Sequence, residues 1–149
     1  MKKTRVLFVC TGASCRSQMA AGFMNYLFGA TVEAFAAGAA PKGLDPMAIR
    51  AMAEAGVDIS GQKSLATGAF LGQRFDWVVT VCSGAREACP IFPGGGRRIH
   101  MGFDDPPHLA RGAASPEEAM VIYRRVREQI KDFVARFPAS FEALERERT

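Results

Sequence analysis

Three groups of residues in this sequence could do chemistry together. Cys10 is followed six positions later by Arg16 and then Ser17, with Thr11, Gly12, Ala13, Ser14 and Cys15 between them. Cys82 is followed seven positions later by Cys89. Asp104 and Asp105 stand directly before Pro106. A thiolate is a nucleophile, a guanidinium grips two oxygens of a tetrahedral oxyanion, and a carboxylic acid can give a proton to a leaving oxygen.

The elements around Cys10 decide whether this chemistry is feasible. Residues 4–10 form an apolar run that reads as a buried strand. From Ser17 the apolar positions Met19, Ala20, Phe23, Met24 and Leu27 recur at helical spacing, and Gly29 is a natural stop. A loop entering a helix leaves backbone N–H groups without helical partners, and with the helix dipole they make an anion site. Gly12, Ala13 and Ser14 are small enough for that loop to curl around one oxyanion, and Arg16 adds its fork of donors. The same donors favour the Cys10 thiolate over the thiol. Ser17 can donate to the same sulfur. Thr11–Ser17 are therefore the candidate oxyanion-binding residues and Cys10 the candidate nucleophile.

Cys82 closes the strong strand read over 75–81, so it can approach Cys10 across the same edge of the sheet. Were residues 82–89 helical, the Cα atoms of Cys82 and Cys89 would be about 10.5 Å apart. A disulfide needs roughly 4.4–6.8 Å, so the two could bond only on an unwound segment. Gly84 weakens such a helix, and Pro90 and Pro93 limit it. Two alternatives stand beside a redox pair: two inert buried cysteines, or a zinc site. The six-residue gap suits zinc poorly, and His100 and His108 are the only histidines.

The remaining pattern places these groups on one edge. Residues 31–37 and 97–101 read as further strands, 65–74 as a short weak helix, and Asp45-Pro46 as the start of a helix running to about Gly56. Ser115-Pro116-Glu117-Glu118 is a capping box opening a helix that buries Ala119, Tyr123, Val126, Ile130, Phe133 and Val134. Phe137-Pro138 is expected to end or kink it, leaving a polar tail over 139–149 open to fraying. Continuous apolar strands alternating with helices argue for a parallel sheet covered on both faces, with ligands beyond the carboxyl ends of its strands. One α/β domain over 1–149 is expected.

Composition narrows the class. With 149 residues, 48% hydrophobic and 23% charged, the chain can bury a sizeable core. No apolar stretch approaches a membrane span, and Val6–Val9 is too short for a signal core, so a cytoplasmic protein is expected. A net charge of +4 with scattered basic residues suits a small anion better than nucleic acid. In the reducing cytoplasm four cysteines need a reason other than stapling the fold.

Cys-x5-Arg-Ser at the first strand-to-helix turn resembles the low-molecular-weight protein tyrosine phosphatase superfamily. "VVTVCSGAREACPIFPG" (78–94), "HMGFDDP" (100–106) and "AAGAAPKGLDPMAIRAMAEAGVDIS" (36–60) resemble its thioredoxin-coupled arsenate reductases in particular. The resemblance implies a three-layer sandwich around a four-stranded parallel sheet in the order 2-1-3-4. It implies Asp105 rather than Asp104 as general acid. It further implies that Cys10 attacks arsenate, that Cys82 attacks Cys10 with release of arsenite, and that Cys89 then takes Cys82 into a disulfide reduced by thioredoxin. Arsenate, with phosphate or sulfate as analogues, and thioredoxin are thus the implied partners, with no bound cofactor, nucleic acid or membrane, and a monomer is expected.

The chain departs from that pattern in places. Some relatives hold potassium beside the loop through side-chain oxygens; the matching positions here are Ala13, Ala21, Ala36, Lys63 and Leu65. No bound potassium is expected, with the Lys63 ammonium partly replacing it. Met101 stands where relatives often carry Trp, and Cys15 is expected to pack under the loop as a small apolar residue. The sequence also leaves open a phosphatase acting on phosphate monoesters, disfavoured by Pro107-His108 where an aromatic ring would be expected, and a non-catalytic thiol sensor.

Overall fold

Strand β1 (Thr4–Cys10) alternates its side chains between two cores, as the two-residue period of a strand requires. Val6, Phe8 and Cys10 enter one hydrophobic cluster, and Leu7 and Val9 the other. A computed structural model describes residues 3–83, 92–93 and 96–148, with side chains through Phe137. β1 lies at the centre of a parallel sheet with β2 (Val32–Gly38), β3 (Trp77–Thr80) and β4 (Arg97–His100), in the order β2-β1-β3-β4. This is the sheet expected from the sequence. Because all four strands run the same way, Cys10, Gly38, Thr80 and His100 end at one edge.

The helices α1 (Arg16–Phe28), α2 (Pro46–Glu54) and α4 (Pro116–Arg148) share the cluster on the Cys10 side, and the short α3 (Pro106–Ala110) packs on α4. The opposite face is covered by Phe35, Phe70, Phe75 and Phe92 in edge-on and tilted contact, Phe70 arriving on a single 3₁₀ turn (Thr67–Phe70). Arg5 stacks on Phe35 and Phe75 at 4.9 and 4.7 Å and closes that face at its lower end. Among the described residues no helix is long and apolar enough to cross a membrane.

Several boundaries differ from the sequence reading. The helix expected over 65–74 is one 3₁₀ turn, closed by Gly72 at φ 85°. The strand expected over 75–81 is regular over Trp77–Thr80, with Asp76 N and Val81 N still donating to Arg5 O and Val9 O at 2.9 Å on either side; at its start the Asp76 carboxylate also accepts the Arg5 N–H at 2.8 Å. The helix α4 does not stop at Pro138 but continues to Arg148. Proline removes one bond to the carbonyl four residues back, yet the residues beyond it are largely Ala, Leu, Glu and Arg, which favour helix. Just ahead, Phe137 is anchored on Trp77 at 5.5 Å. The capping residues are as read: Ser115 accepts the Glu118 N–H, while the Glu118 carboxylate reaches back to the Ala114 N–H.

Candidate active site

The loop from Cys10 to Arg16 is shaped by what its carbonyls bind. Thr11 O accepts from Ala40 N at 2.9 Å, Gly12 O from Lys42 N at 2.9 Å, and Ser14 O from Asp45 N at 3.0 Å. Ala13 O accepts from the Gln18 side chain at 2.8 Å, and Cys15 O from Met19 N at 2.8 Å. Each carbonyl is thus turned outward into the protein. A trans peptide points its N–H opposite to its C=O, so the N–H groups of residues 12–16 point away from those partners. That is the cradle an oxyanion needs at a helix start.

Close approach makes the cradle possible. A Cβ on Gly38 would lie 2.7 Å from Ala13 N and 2.8 Å from Thr11 O, so only glycine at the end of β2 lets the loop sit there. Ala13 itself takes φ 47°, the left-handed region that alanine seldom adopts.

Cys10 lies at the base of the loop, 2% exposed, with Ser17 Oγ 3.1 Å from its sulfur. Arg16 is 4% exposed; it donates to Phe103 O at 3.2 Å, and its other terminal nitrogen stands 3.7 Å from Asp105 Oδ1. Asp105 holds the N-cap position of α3, but its side chain caps nothing and faces Arg16 instead. Cys10, Arg16 and Asp105 line one pocket of about 290 Å³ with Thr11, Gly12, Ser14, Cys15, Lys42, Pro107 and Arg111, whereas Ala13 and Ser17 are not among its lining residues. The candidate nucleophile, anion cradle and acid are therefore brought together.

Cys82 is buried just beyond β3, its sulfur 3.9 Å from both Val9 O and Thr11 Oγ1, the chain neighbours of Cys10. It is disulfide-bonded, whereas Cys10 and Cys15 are free. Gly102 allows the 100–105 loop to lie against it, since a Cβ there would meet Cys82 O at 2.9 Å. Cys89 and the proposed unwinding of 82–89 lie outside the described residues beyond Ser83.

Cys15 lies at the start of α1, 2% exposed. Burial, reinforced by the negative charge of Asp45, pushes its thiol well above the ordinary range, so it packs as a neutral apolar group. Asp45 is itself tied down: one oxygen caps α2 through Met47 N, and the other accepts the Tyr123 hydroxyl from α4. Burial and that carboxylate keep the tyrosine protonated well beyond its usual range.

Ala21, Ala36, Lys63 and Leu65 surround an adjoining pocket of about 300 Å³. No carboxylate or hydroxyl side chain is among its lining residues, and the oxygens beside it, Ala13 O, Lys63 O, Gln18 Oε1 and Asn25 Oδ1, each already accept a hydrogen bond, so the site fits potassium poorly. Lys63 is among the residues lining this pocket. The residue is exposed, and its backbone carbonyl accepts from Gln18 at 3.0 Å. Among the described residues no three His, Cys, Asp or Glu side chains gather as a metal site.

Sequence reasoning missed Gln18, Gln62, Lys42 and Arg111. An amide at position 18 inside an apolar helical pattern was the available signal for the first; Lys42 and Arg111 reach the pocket from other loops and carry none.

The chain is 42% identical over 130 residues to the arsenate reductase of Halalkalibacterium halodurans, covering 87% of this chain and 91% of that protein. It is 39% identical over 137 residues to the arsenate reductase of Bacillus subtilis, covering 92% and 96%. The solved structure of an arsenate reductase in the phosphate binding state superposes with a TM-score of 0.75 at 30% identity, over 92% of this chain and 98% of that one. The family model for the low molecular weight phosphotyrosine protein phosphatases matches residues 5–149, and the chain belongs to that family.

Proposed function

We propose that the protein reduces arsenate to arsenite in the cytoplasm, as a monomer, by a relay through Cys10, Cys82 and Cys89 that thioredoxin resets. The Cys10 thiolate attacks arsenic(V), the cradle and Arg16 hold the oxyanion, and Asp105 protonates the oxygen that leaves as water. The Cys82 thiolate then attacks the Cys10 sulfur. An S–S bond forms, the S–As bond breaks, and its electron pair stays on arsenic, which departs as arsenite. Cys89 attacks Cys82 and frees Cys10 as a thiolate; a thioredoxin dithiol reduces the Cys82–Cys89 disulfide.

One observation carries this reading: a second cysteine sulfur is packed against both chain neighbours of the nucleophile, within 3.9 Å of Val9 O and Thr11 Oγ1. A phosphatase needs no such group. Cys82 in a disulfide, with Cys10 and Cys15 free, is also the arrangement such a relay reaches before its reductant acts.

Family membership supports hydrolysis of phosphate monoesters as a second reading. Against it, the pocket mouth carries Lys42, Pro107 and Arg111 and, among the described residues, no aromatic side chain to hold a phenyl ring.

The test is arsenate-dependent NADPH oxidation with thioredoxin and thioredoxin reductase, for the wild type and Cys89→Ser. Wild type should turn over many times and Cys89→Ser should stall after about one cycle. No turnover by the wild type removes the reductase reading. Full multiple turnover by Cys89→Ser removes the relay and leaves the activity.

A further inference from the structure

Ala13 is an alanine in a left-handed conformation at the middle of the cradle, with φ 47°. Its Cβ crowds the neighbouring carbonyl there, so the peptide tends to flip unless something holds it. The Ala13 carbonyl points away from the pocket into the protein, and the side chain of Gln18 meets it at 2.8 Å. Gln18 is fully buried in the first turn of α1, two residues beyond Arg16.

Every polar atom of that carboxamide is committed. Its NH2 group donates to Ala13 O and to Lys63 O at 3.0 Å. Its oxygen accepts from Gln62 Nε2 at 2.7 Å, and the same nitrogen reaches Gln18 O at 3.1 Å. Two glutamines therefore lock the loop, the first turn of α1 and residues 62–63 into one polar unit. A buried, fully satisfied network of this kind has one arrangement.

We infer that Gln18 is a positioning residue for oxyanion binding: by holding the Ala13 carbonyl outward it keeps the Ser14 N–H aimed into the pocket. The peptide joining residues 13 and 14 is planar, so fixing its C=O fixes its N–H. A flip would withdraw one donor and turn a carbonyl oxygen toward the anion. Gln18 touches neither the sulfur nor the substrate and acts only through Ala13. The inference rests on the oxyanion-cradle reading of residues 11–17, and phosphate binding tests both without requiring turnover.

The experiment is calorimetric titration of inorganic phosphate into the wild type, Gln18→Met, Ala13→Gly and the double variant, with melting temperatures alongside. Methionine keeps the volume and removes both donors. Gln18→Met should raise the phosphate Kd about tenfold, the scale of one lost hydrogen bond in a buried site. Glycine does not resist the left-handed conformation, so the same substitution in the Ala13→Gly background should cost about threefold or less. Gln62→Met, which loosens Gln18 and leaves the loop sequence intact, should raise the phosphate Kd by a smaller but measurable factor, and where Gln18→Met does not fold, an unchanged Kd in Gln62→Met overturns the inference. A lowered melting temperature with an unchanged phosphate Kd in the folded variants would make Gln18 a core group only and overturn the inference. An equal loss in both backgrounds would overturn the action through Ala13. Failure of the wild type to bind phosphate would remove the cradle reading itself.

Discussion

The hydroxyl of Ser17 stands 3.1 Å from the Cys10 sulfur, and both residues are buried at the foot of the loop. Once the thiol has lost its proton, this hydroxyl is a donor to the thiolate at the first turn of α1. Hydrogen bonds to charged groups contribute about 1.5–3 kcal/mol. Ser17→Ala should therefore slow alkylation of Cys10 by iodoacetamide at neutral pH by about tenfold or more. Alkylation at the wild-type rate would show that the hydroxyl does nothing for the nucleophile.

Asp105 faces Arg16 across 3.7 Å and leaves the helix it precedes without a side-chain cap. Asp105→Asn keeps the shape and removes the transferable proton. Single-turnover formation of arsenite should fall by about 10²-fold or more, the usual scale for a positioned acid. Phosphate should bind at least as tightly, because a negative charge beside the anion site is gone. An unchanged single-turnover rate would reassign the proton to another donor.

The pocket beside the loop carries Ala21, Ala36 and Leu65 together with the amide residues Gln18, Asn25 and Gln62, and among its lining residues there is no carboxylate or hydroxyl side chain. Exchange of potassium for sodium or choline at constant ionic strength should leave kcat/KM for arsenate unchanged. A marked rise with potassium would show that carbonyl oxygens alone suffice to bind it here.

The parts of the site legible in the sequence were those whose geometry follows from neighbours along the chain. Cys10 closes an apolar strand and Arg16 opens a helix, so the cradle between them could be read from residue types. What escaped were contacts made by backbone. Gln18 binds two carbonyls, Ala13 O and Lys63 O, and carbonyls have no sequence signature. Nothing in the letter alanine announces φ 47° at position 13. The Asp105-Pro106 pair could be read as a turn, yet it opens α3 and aims the carboxylate at Arg16 because Asp105 does not spend its oxygens on the cap. Pro138 misled in the other direction: the rule for proline is local, and the helix α4 is carried past it by its neighbours.

Glu54 at the end of α2 receives Arg124 of α4 through two bonds of 2.8 and 2.9 Å, with Arg127 also within 3.4 Å. The bonds to Arg124 are the main reason its carboxyl is lowered from 4.5 to about 2. The folded state therefore holds a proton on Glu54 less readily than the unfolded chain does. Its contribution to stability is complete above the unfolded value of 4.5 and is lost as pH falls through the folded value of about 2. The wild type should lose stability through that interval more steeply than Glu54→Gln, whose amide cannot titrate. Because the pair is exposed, raised salt should narrow the difference between the two proteins. The measurement is urea unfolding at stepped pH from neutral into this interval, at low and high salt. Parallel curves for the two proteins would show that the α2–α4 clasp does not contribute to acid stability.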